Sequence, residues 1–528
     1  MKLLTLILCC LVAIGVSSSD CRSVDRLLAH AQSHSFPAPL LYRAVEQGSH
    51  TALQQLTEWA IDSDTEHWLQ LAADSGSSEA QHHLALVSTN LAQQRQLFMA
   101  PANAGHAPSQ HELALLSTNS EVREYWLTKS AQQNYQPAVV SLANWLLLNN
   151  RSGEAKQWLE QAANFDAASA MTLVSQRWRE RRYDEAMRAL ESAIALGSDE
   201  GNETRQLIER FWQRPVSRIA PANANCTMKI QPVVTNLSGI AQAVRFITQF
   251  ASDERVNALP ICLGQPVWQE ADYGCDANFA GGRRLGCSPA KLAEIVEQSA
   301  ATHIVMFAEH GKANVHNGIM YLDQSDTYDV FIHELAHFVG FADEYPISGE
   351  LAASLCRRQD IPNLVFMPSV QKRREAAIQE VLQDVPAYAH QFVRQAIEDG
   401  QVDILEDAPL IPPAAKKWSG LPFSVSVSKA RTCNNDDAQA FKPVSEITFL
   451  EHHDSGVIPP FYRYLWEQRL QDPRATVPVY VNLAQYFESV GDNQSATLWW
   501  QRYQAFRTPK LEPQENTAVA IQGHIDYN

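Results

Sequence analysis

The chain has 528 residues, 45% hydrophobic and 19% charged, a composition that suits folded domains and excludes a disordered or fibrous protein. One core is too few at that length, so two to four domains are expected. A net charge of −17 with no basic cluster argues against nucleic acid or an anionic membrane surface as partner.

Met1-Lys2, the apolar run Leu3 to Val16 and the small residues Ser17-Ser18-Ser19 read as a secretory signal peptide over 1–19. No later segment is long and apolar enough to span a bilayer, so an exported protein without a membrane anchor is expected, periplasmic or secreted. Ser18, Ser19 and Asp20 fit poorly with lipidation at Cys21. Setting aside Cys9 and Cys10 in the signal, the cysteines are Cys21, Cys226, Cys262, Cys275, Cys287, Cys356 and Cys433, with no C-x-x-C spacing. Disulfides are the default for such thiols in an oxidising compartment. Cys275 with Cys287 would close a glycine-rich loop, Cys356 with Cys433 would brace a later segment, and Cys21 is the natural one to be left over.

Residues 38–212 repeat. Leu40, Trp68, Leu97, Trp126, Trp158 and Ala189 stand 28 to 32 residues apart, each read as the start of a helix. Eight positions on come Gly48, Gly76, Gly105, Asn134, Asp166 and Gly197, residue types that tolerate left-handed backbone at a helix C-terminus. Four further on come Ala52, Ala80, Ser109, Ala138, Ala170 and Gly201, small enough for close helix–helix approach. Pro101 makes the third unit irregular. The tryptophans are read as core. The pattern resembles the Sel-type branch of the tetratricopeptide superfamily, which implies a solenoid of stacked helix pairs able to bind a protein partner, or to serve as a spacer.

Pro215 and the run from Ala220 to Asn225 mark a boundary. From 226 to 470 the texture changes to strands and helices together. Lys229 to Val234 reads as a strand, Ile240 to Phe250 as a helix, Ala258 to Val267 as extended chain and Asp276 to Gly286 as a glycine-rich loop. His303 to Ala308 reads as a buried strand, and Val315 to Leu322 alternates as a further strand should.

Next comes His333-Glu334-Leu335-Ala336-His337, then Gly340, Asp343, Glu344 and Tyr345. Histidines four apart share one helix face and can reach a single cation, with Glu334 placed to act on a water as general base. Gly340 can end the helix in a left-handed turn and return the chain with a third ligand, either Asp343 or Glu344. Asp343 is favoured, and Glu344 is then an acid that orients a ligand or closes the helix end. A bare H-E-x-x-H arises by chance in roughly 3% of chains of this composition, and the added glycine and acid make the match rarer by roughly two orders of magnitude. Three protein ligands with an open position describe one catalytic Zn²⁺.

The run from His333 to Tyr345, with the sheet expected before it, resembles the metzincin-like zinc peptidases and, more narrowly, the bacterial IgA-cleaving metallopeptidases. The resemblance implies that Ala313 to Tyr321 forms a cleft-edge strand that pairs with substrate. It also implies that Ser445 to Leu450 forms the turn beneath the metal, with Ile447 or Phe449 where a methionine is usual. Tyr462 and Tyr464 are candidates for a transition-state hydrogen-bond donor, although packing is the simpler role for each. His310, His316, His452 and His453 lie near these blocks and are read as structural or solvated. Cys21 or Cys226 could cap the metal only as a remote alternative. Lys372-Arg373-Arg374 suits the solvated face of a helix.

Residues 474–508 form one more tetratricopeptide-like helix pair, and 509–528 a polar tail. The expected architecture is multidomain: an N-terminal all-α helical-repeat solenoid, an α+β metzincin-like catalytic domain with a mixed sheet and an active-site helix, and a C-terminal helix pair. The expected function is zinc-dependent hydrolysis of peptide bonds in protein or peptide substrates. A non-catalytic adaptor with a vestigial zinc site is the alternative from another class, and an amidase acting on cell-wall peptides shares the chemistry.

Overall fold

The computed structural model describes residues 23–219, 226–281, 284–347, 352, 354–358, 360–399, 413–433 and 438–508. The expected signal peptide, Cys21 and the polar tail lie outside the described residues. The chain divides into two compact units, Met1–Arg205 and Gln206–Asn528.

In the first unit a helix over 23–32 precedes a regular series of helix pairs. These are Ala38–Glu46 with His50–Asp62, Glu66–Asp74 with Ser78–Val87, Leu91–Asn103 with Ala107–Leu115, Ser120–Ala131 with Gln136–Leu148, Ser152–Ala162 with Ala167–Arg179, and Tyr183–Ala195 with Asp199–Phe211. The last helix runs past the division between the units. This is a helical-repeat solenoid. The spacing of the turns makes it regular: Gly76 turns at φ +93° and Asn134 at +60°, the left-handed conformation that closes the first helix of a pair. Asp166 departs from the expected pattern. It is extended, at φ −124°, and its carboxylate instead accepts the Ser169 amide as an N-cap. The small residues Ala52, Ala80, Ser109, Ala138 and Ala170 have no exposed surface at all, as their positions between helices require. Trp68, Trp126 and Trp158 are partly buried against the repeat cores.

The second unit is built on a six-stranded mixed sheet, β1 Met228–Val234, β2 Ile261–Leu263, β3 Val267–Trp268, β4 His303–Phe307, β5 Asn314–His316 and β6 Ile319–Leu322. The order is β2-β1-β4-β6-β5, with β3 also pairing β1; all pairs are parallel except β5 with β6. The single strand expected over Val315 to Leu322 is therefore a hairpin. Asn317 (φ +44°) and Gly318 (φ +81°) make its two-residue turn, and only β5 lies at the edge. Asn-Gly between apolar runs is a strong hairpin signal that the alternation masked. The turn is also tightly packed, because a Cβ on Gly318 would meet the Val479 amide nitrogen at 2.2 Å.

The C-terminal helices Val479–Ser489 and Asn493–Arg507 pack into this same unit. Val479, Leu483, Ala484 and Trp499 share one apolar cluster with Ile304 and Met306 of β4 and Ile319 of β6. A second, antiparallel sheet, β7 Val365–Pro368, β8 Ser428–Ala430 and β9 Ala438–Lys442, has the order β7-β9-β8. The helix Val370–Gln383 carries Lys372 and Arg374 exposed. Three disulfides join Cys226 to Cys262, Cys275 to Cys287 and Cys356 to Cys433. The first, unanticipated, ties β1 to its neighbour β2. Among the described residues no helix is long and apolar enough to cross a membrane.

Candidate metal centre

The helix Tyr328–His337 begins at Thr327, whose hydroxyl caps the Val330 amide, and buries Phe331, Ile332 and Leu335. Its apolar face fixes its rotation, so His333 and His337 emerge together on the other. The helix ends where Gly340 turns at φ +85°. Arg469 secures that turn by donating from Nε to the Val339 carbonyl at 2.8 Å. The chain then folds back and brings Asp343 to the histidines.

Asp343 Oδ1 lies 3.0 Å from His333 Nε2 and 3.2 Å from His337 Nε2, and the two Nε2 atoms are 3.2 Å apart. Each imidazole is held from behind. His333 Nδ1 is 2.8 Å from the Phe449 carbonyl and His337 Nδ1 is 2.9 Å from the Phe341 carbonyl. A carbonyl can only accept, so both Nδ1 atoms carry a proton, and the Nε2 atoms, the ones left to bind either a further proton or a metal, both face Asp343. Three electron-rich atoms converge on one point, an arrangement that asks for a cation. Tetrahedral zinc with N and O ligands at about 2.0–2.1 Å sets ligand atoms about 3.3 Å apart, close to the edges seen here. The donor set fits zinc.

Glu334 sits between the histidines, buried, with one carboxylate oxygen unpartnered. Its ligand atom and those of His333 and His337 lie within 4.8 Å of one another, so Glu334 is gathered at the same point as the two imidazoles. Burial pushes the Glu334 carboxyl above the usual carboxylate range. Burial would also lift Asp343, but the charges and hydrogen bonds of His337 and His333 outweigh it and hold Asp343 well below that range. For His337 burial lowers the affinity for a proton, Asp343 overrides it, and the imidazole is pushed up to about 10.

Glu344, the other candidate for third ligand, points away from the histidines and is fully buried. Its Oε1 accepts from Tyr462 Oη at 2.5 Å and Asn363 Nδ2 at 2.9 Å, and its Oε2 from Thr448 Oγ1 at 2.6 Å, with Lys442 Nζ 3.4 Å away. One carboxylate thus ties together the strand after the helix, the turn carrying Phe449 and the helix Pro460–Gln471. Tyr462 is committed to that network and has no exposed surface, which removes it as a donor to substrate. Tyr464 packs on Phe423, with ring centroids 5.3 Å apart. The tyrosine that does reach the site is Tyr345. Its ring stacks on His333, with centroids 6.1 Å apart, and burial together with the nearby Asp343 carboxylate pushes its hydroxyl above the ordinary range. Its place in the motif was plain; its contact was not.

Of the two residues expected beneath the metal, Ile447 is 59% exposed, whereas Phe449 is buried and stacks on Trp466. Phe449 is the one that meets the site, through its carbonyl. Asn363 and Thr432 carried no sequence signal. Asn363 holds both the amide and the carbonyl of Ala342, and Thr432 Oγ1 donates to the Asp343 carbonyl at 2.6 Å. His453 stands 6.5 Å from His333 between ring centroids, and His316 lies exposed on β5. Cys226 is in a disulfide and cannot cap a metal.

No family model matches this chain, and no curated protein matches it. Among solved structures it is similar to a Sel1 repeat protein from Oxalobacter formigenes, at 17% identity and a TM-score of 0.22, over 26% of this chain and 69% of that one. A TM-score that low supports no conclusion, so the repeat architecture stands on the order and spacing of the helices themselves.

Proposed function

We propose that this protein is an exported zinc endopeptidase whose His333, His337 and Asp343 hold one catalytic ion. The reading rests on the triangle of ligand atoms, with edges of 3.0, 3.2 and 3.2 Å, each imidazole locked in the tautomer that ligates. Bound there, zinc supplies Lewis-acid polarisation of a carbonyl and acidifies a water. The chain's own residues do the rest. The Phe449 and Phe341 carbonyls orient the two imidazoles, and Thr432 holds the backbone of Asp343. Glu334, with its free oxygen, takes the proton from the attacking water and returns it to the leaving amine nitrogen.

β5 lies at the sheet edge, where alternate residues of an antiparallel strand turn N–H and C=O outward and can receive an extended peptide. This position agrees with a metzincin-like reading of the domain, the bacterial IgA-cleaving metallopeptidases being its nearest resemblance. The solenoid offers grooves for a protein substrate or partner, one lined by Glu58, Asp62, Glu79 and His83. Three disulfides support export. An intact Glu334 in place favours an enzyme over an adaptor with a vestigial site.

The test is metal content together with casein cleavage, with and without a chelator. One zinc per chain and chelator-sensitive cleavage are expected. A protein that holds zinc but cleaves only cell-wall peptides would shift the substrate to the amidase class. A protein that holds no zinc at neutral pH contradicts the proposal.

A further inference from the structure

Two cations stand beside the candidate site without a carboxylate partner. Several other arginines of this acidic chain are ion-paired, among them Arg151 with Glu124 and Glu154, Arg177 with Glu160 and Glu180, Arg255 with Asp253, and Arg394 with Glu375. Among the described residues Arg284 and Lys312 have no ion pair, and both are exposed. Asp276, at the neck of the same loop as Arg284, turns its carboxylate to the Asn278 amide.

The two cations belong to one rim. Arg284 sits in the loop closed by the Cys275–Cys287 disulfide and by the paired backbone of Asp276 and Gly286. That loop lies against the chain leading into β5. Asn314 Nδ2 donates to the Leu285 carbonyl at 2.8 Å, and a Cβ on Gly311 would meet Leu285 Cβ at 2.7 Å. Arg284 and Lys312 are the immediate neighbours of these touching residues, so both flank the edge strand. The edge strand in turn packs against the helix Tyr328–His337, which carries both histidines and Glu334.

We propose that Arg284 and Lys312 select substrate carboxylates, so that the peptide laid along β5 carries an acidic residue close to the scissile bond. The proposal rests on the peptidase reading and adds to it the chemistry of the substrate. In a chain of net charge −17, a bare cationic rim at a cleft focuses attraction on an anionic segment that the rest of the surface repels.

The carboxylate can come from Asp or Glu side chains or from a substrate's C-terminus, and the experiment separates the two. Fluorescent peptides of matched length bind the Glu334→Gln protein and are followed by anisotropy: acidic and amidated, neutral and amidated, neutral with a free C-terminus, and basic. Zinc-loaded wild-type protein is assayed for cleavage of the same set. Acidic peptides are expected to bind roughly fivefold to tenfold more tightly than neutral ones, two exposed charge pairs being worth about that much, and to lose the advantage in high salt. The double variant Arg284→Ala/Lys312→Ala in the same background should abolish the preference, and Arg284→Glu/Lys312→Glu should reverse it, each with an unchanged thermal melt. A gain by the neutral peptide with a free C-terminus supports the rim as a reader of chain ends. Equal binding of acidic and neutral peptides, or a preference that survives both double variants, overturns the inference. Wild-type cleavage without preference overturns it alone, whereas failure to cleave any peptide overturns the peptidase reading and leaves the binding result standing.

Discussion

Two backbone carbonyls decide what His333 and His337 can bind. Each takes an Nδ1 proton and leaves Nε2, facing Asp343, as the atom for which a further proton and a metal compete. His337→Ala should therefore release the metal outright. Tyr345→Phe, which removes the hydroxyl near Asp343 while keeping the ring stacked on His333, should keep zinc but weaken it by up to roughly tenfold, as outer partners of ligands do; competition with a chromogenic chelator measures it. Metal removal should depend on pH in a definite sense. In the chelated chain His337 is pushed from 6.5 up to about 10, so its contribution to stability is full below 6.5 and is lost as pH rises toward 10. Asp343 is held below its usual 3.8, so its contribution is full above that value and fades as pH falls beneath it. Zinc affinity rises with pH instead, because protons compete for the imidazoles. The gap in melting temperature between zinc-loaded and chelated protein should widen from pH 6 toward pH 9. A constant gap would contradict the assignment of His337 as a ligand. Glu344 acts at the same scale but on stability. Glu344→Ala leaves the Tyr462 and Thr448 hydroxyls buried without their acceptor and Lys442 with Glu451 alone as its carboxylate, and should cost about 3–5 kcal/mol in chemical denaturation.

At the scale of elements, the site is a helix, a left-handed turn and a return strand laced to distant chain. The helix and turn were legible because their logic is local: four residues separate the ligands, and only glycine takes φ +85° at Gly340 cheaply. What the sequence could not show lies far along the chain. The partners of His333 and Glu344 are 116 and 118 residues away, and Asn363 and Thr432 are single polar residues with no pattern around them. The hairpin was misread for another reason. Its two strands alternate in phase through Asn317-Gly318, so periodicity alone ran straight across the turn. Gly340→Ala tests the turn's part: left-handed strain should destabilise the protein by about 1–3 kcal/mol, and the displaced Asp343 should lower zinc affinity along with it. Loss of stability with zinc affinity unchanged would show that the turn does not place the ligand.

Across the whole molecule, the two units differ in what holds them. The repeats 38–205 bury small residues between helices and, among the described residues, contain no disulfide. The unit Gln206–Asn528 contains all three. The Cys356–Cys433 bridge spans 77 residues beside Thr432, which holds the Asp343 carbonyl, and on the chain-entropy estimate it stabilises by about 4.5 kcal/mol. Thiol reduction of the intact chain should lower the melting of the zinc-bearing unit and shed its metal, while most helical ellipticity from the repeats persists. The repeat period, the residue types at its turns and its small packing positions were readable in advance because each unit restates the same local rule. The second antiparallel sheet was not, since short strands 60 residues apart leave no periodic trace.

The zinc hydrolase reading depends most on separating metal binding from catalysis at one residue. Glu334→Gln preserves size and hydrogen bonding but cannot accept the proton, so the variant should bind one zinc per chain, as the wild type should, and cleave casein at least about a hundredfold more slowly than the wild type. A Glu334→Gln protein that cleaves at the wild-type rate, or a zinc-free wild type, would contradict it.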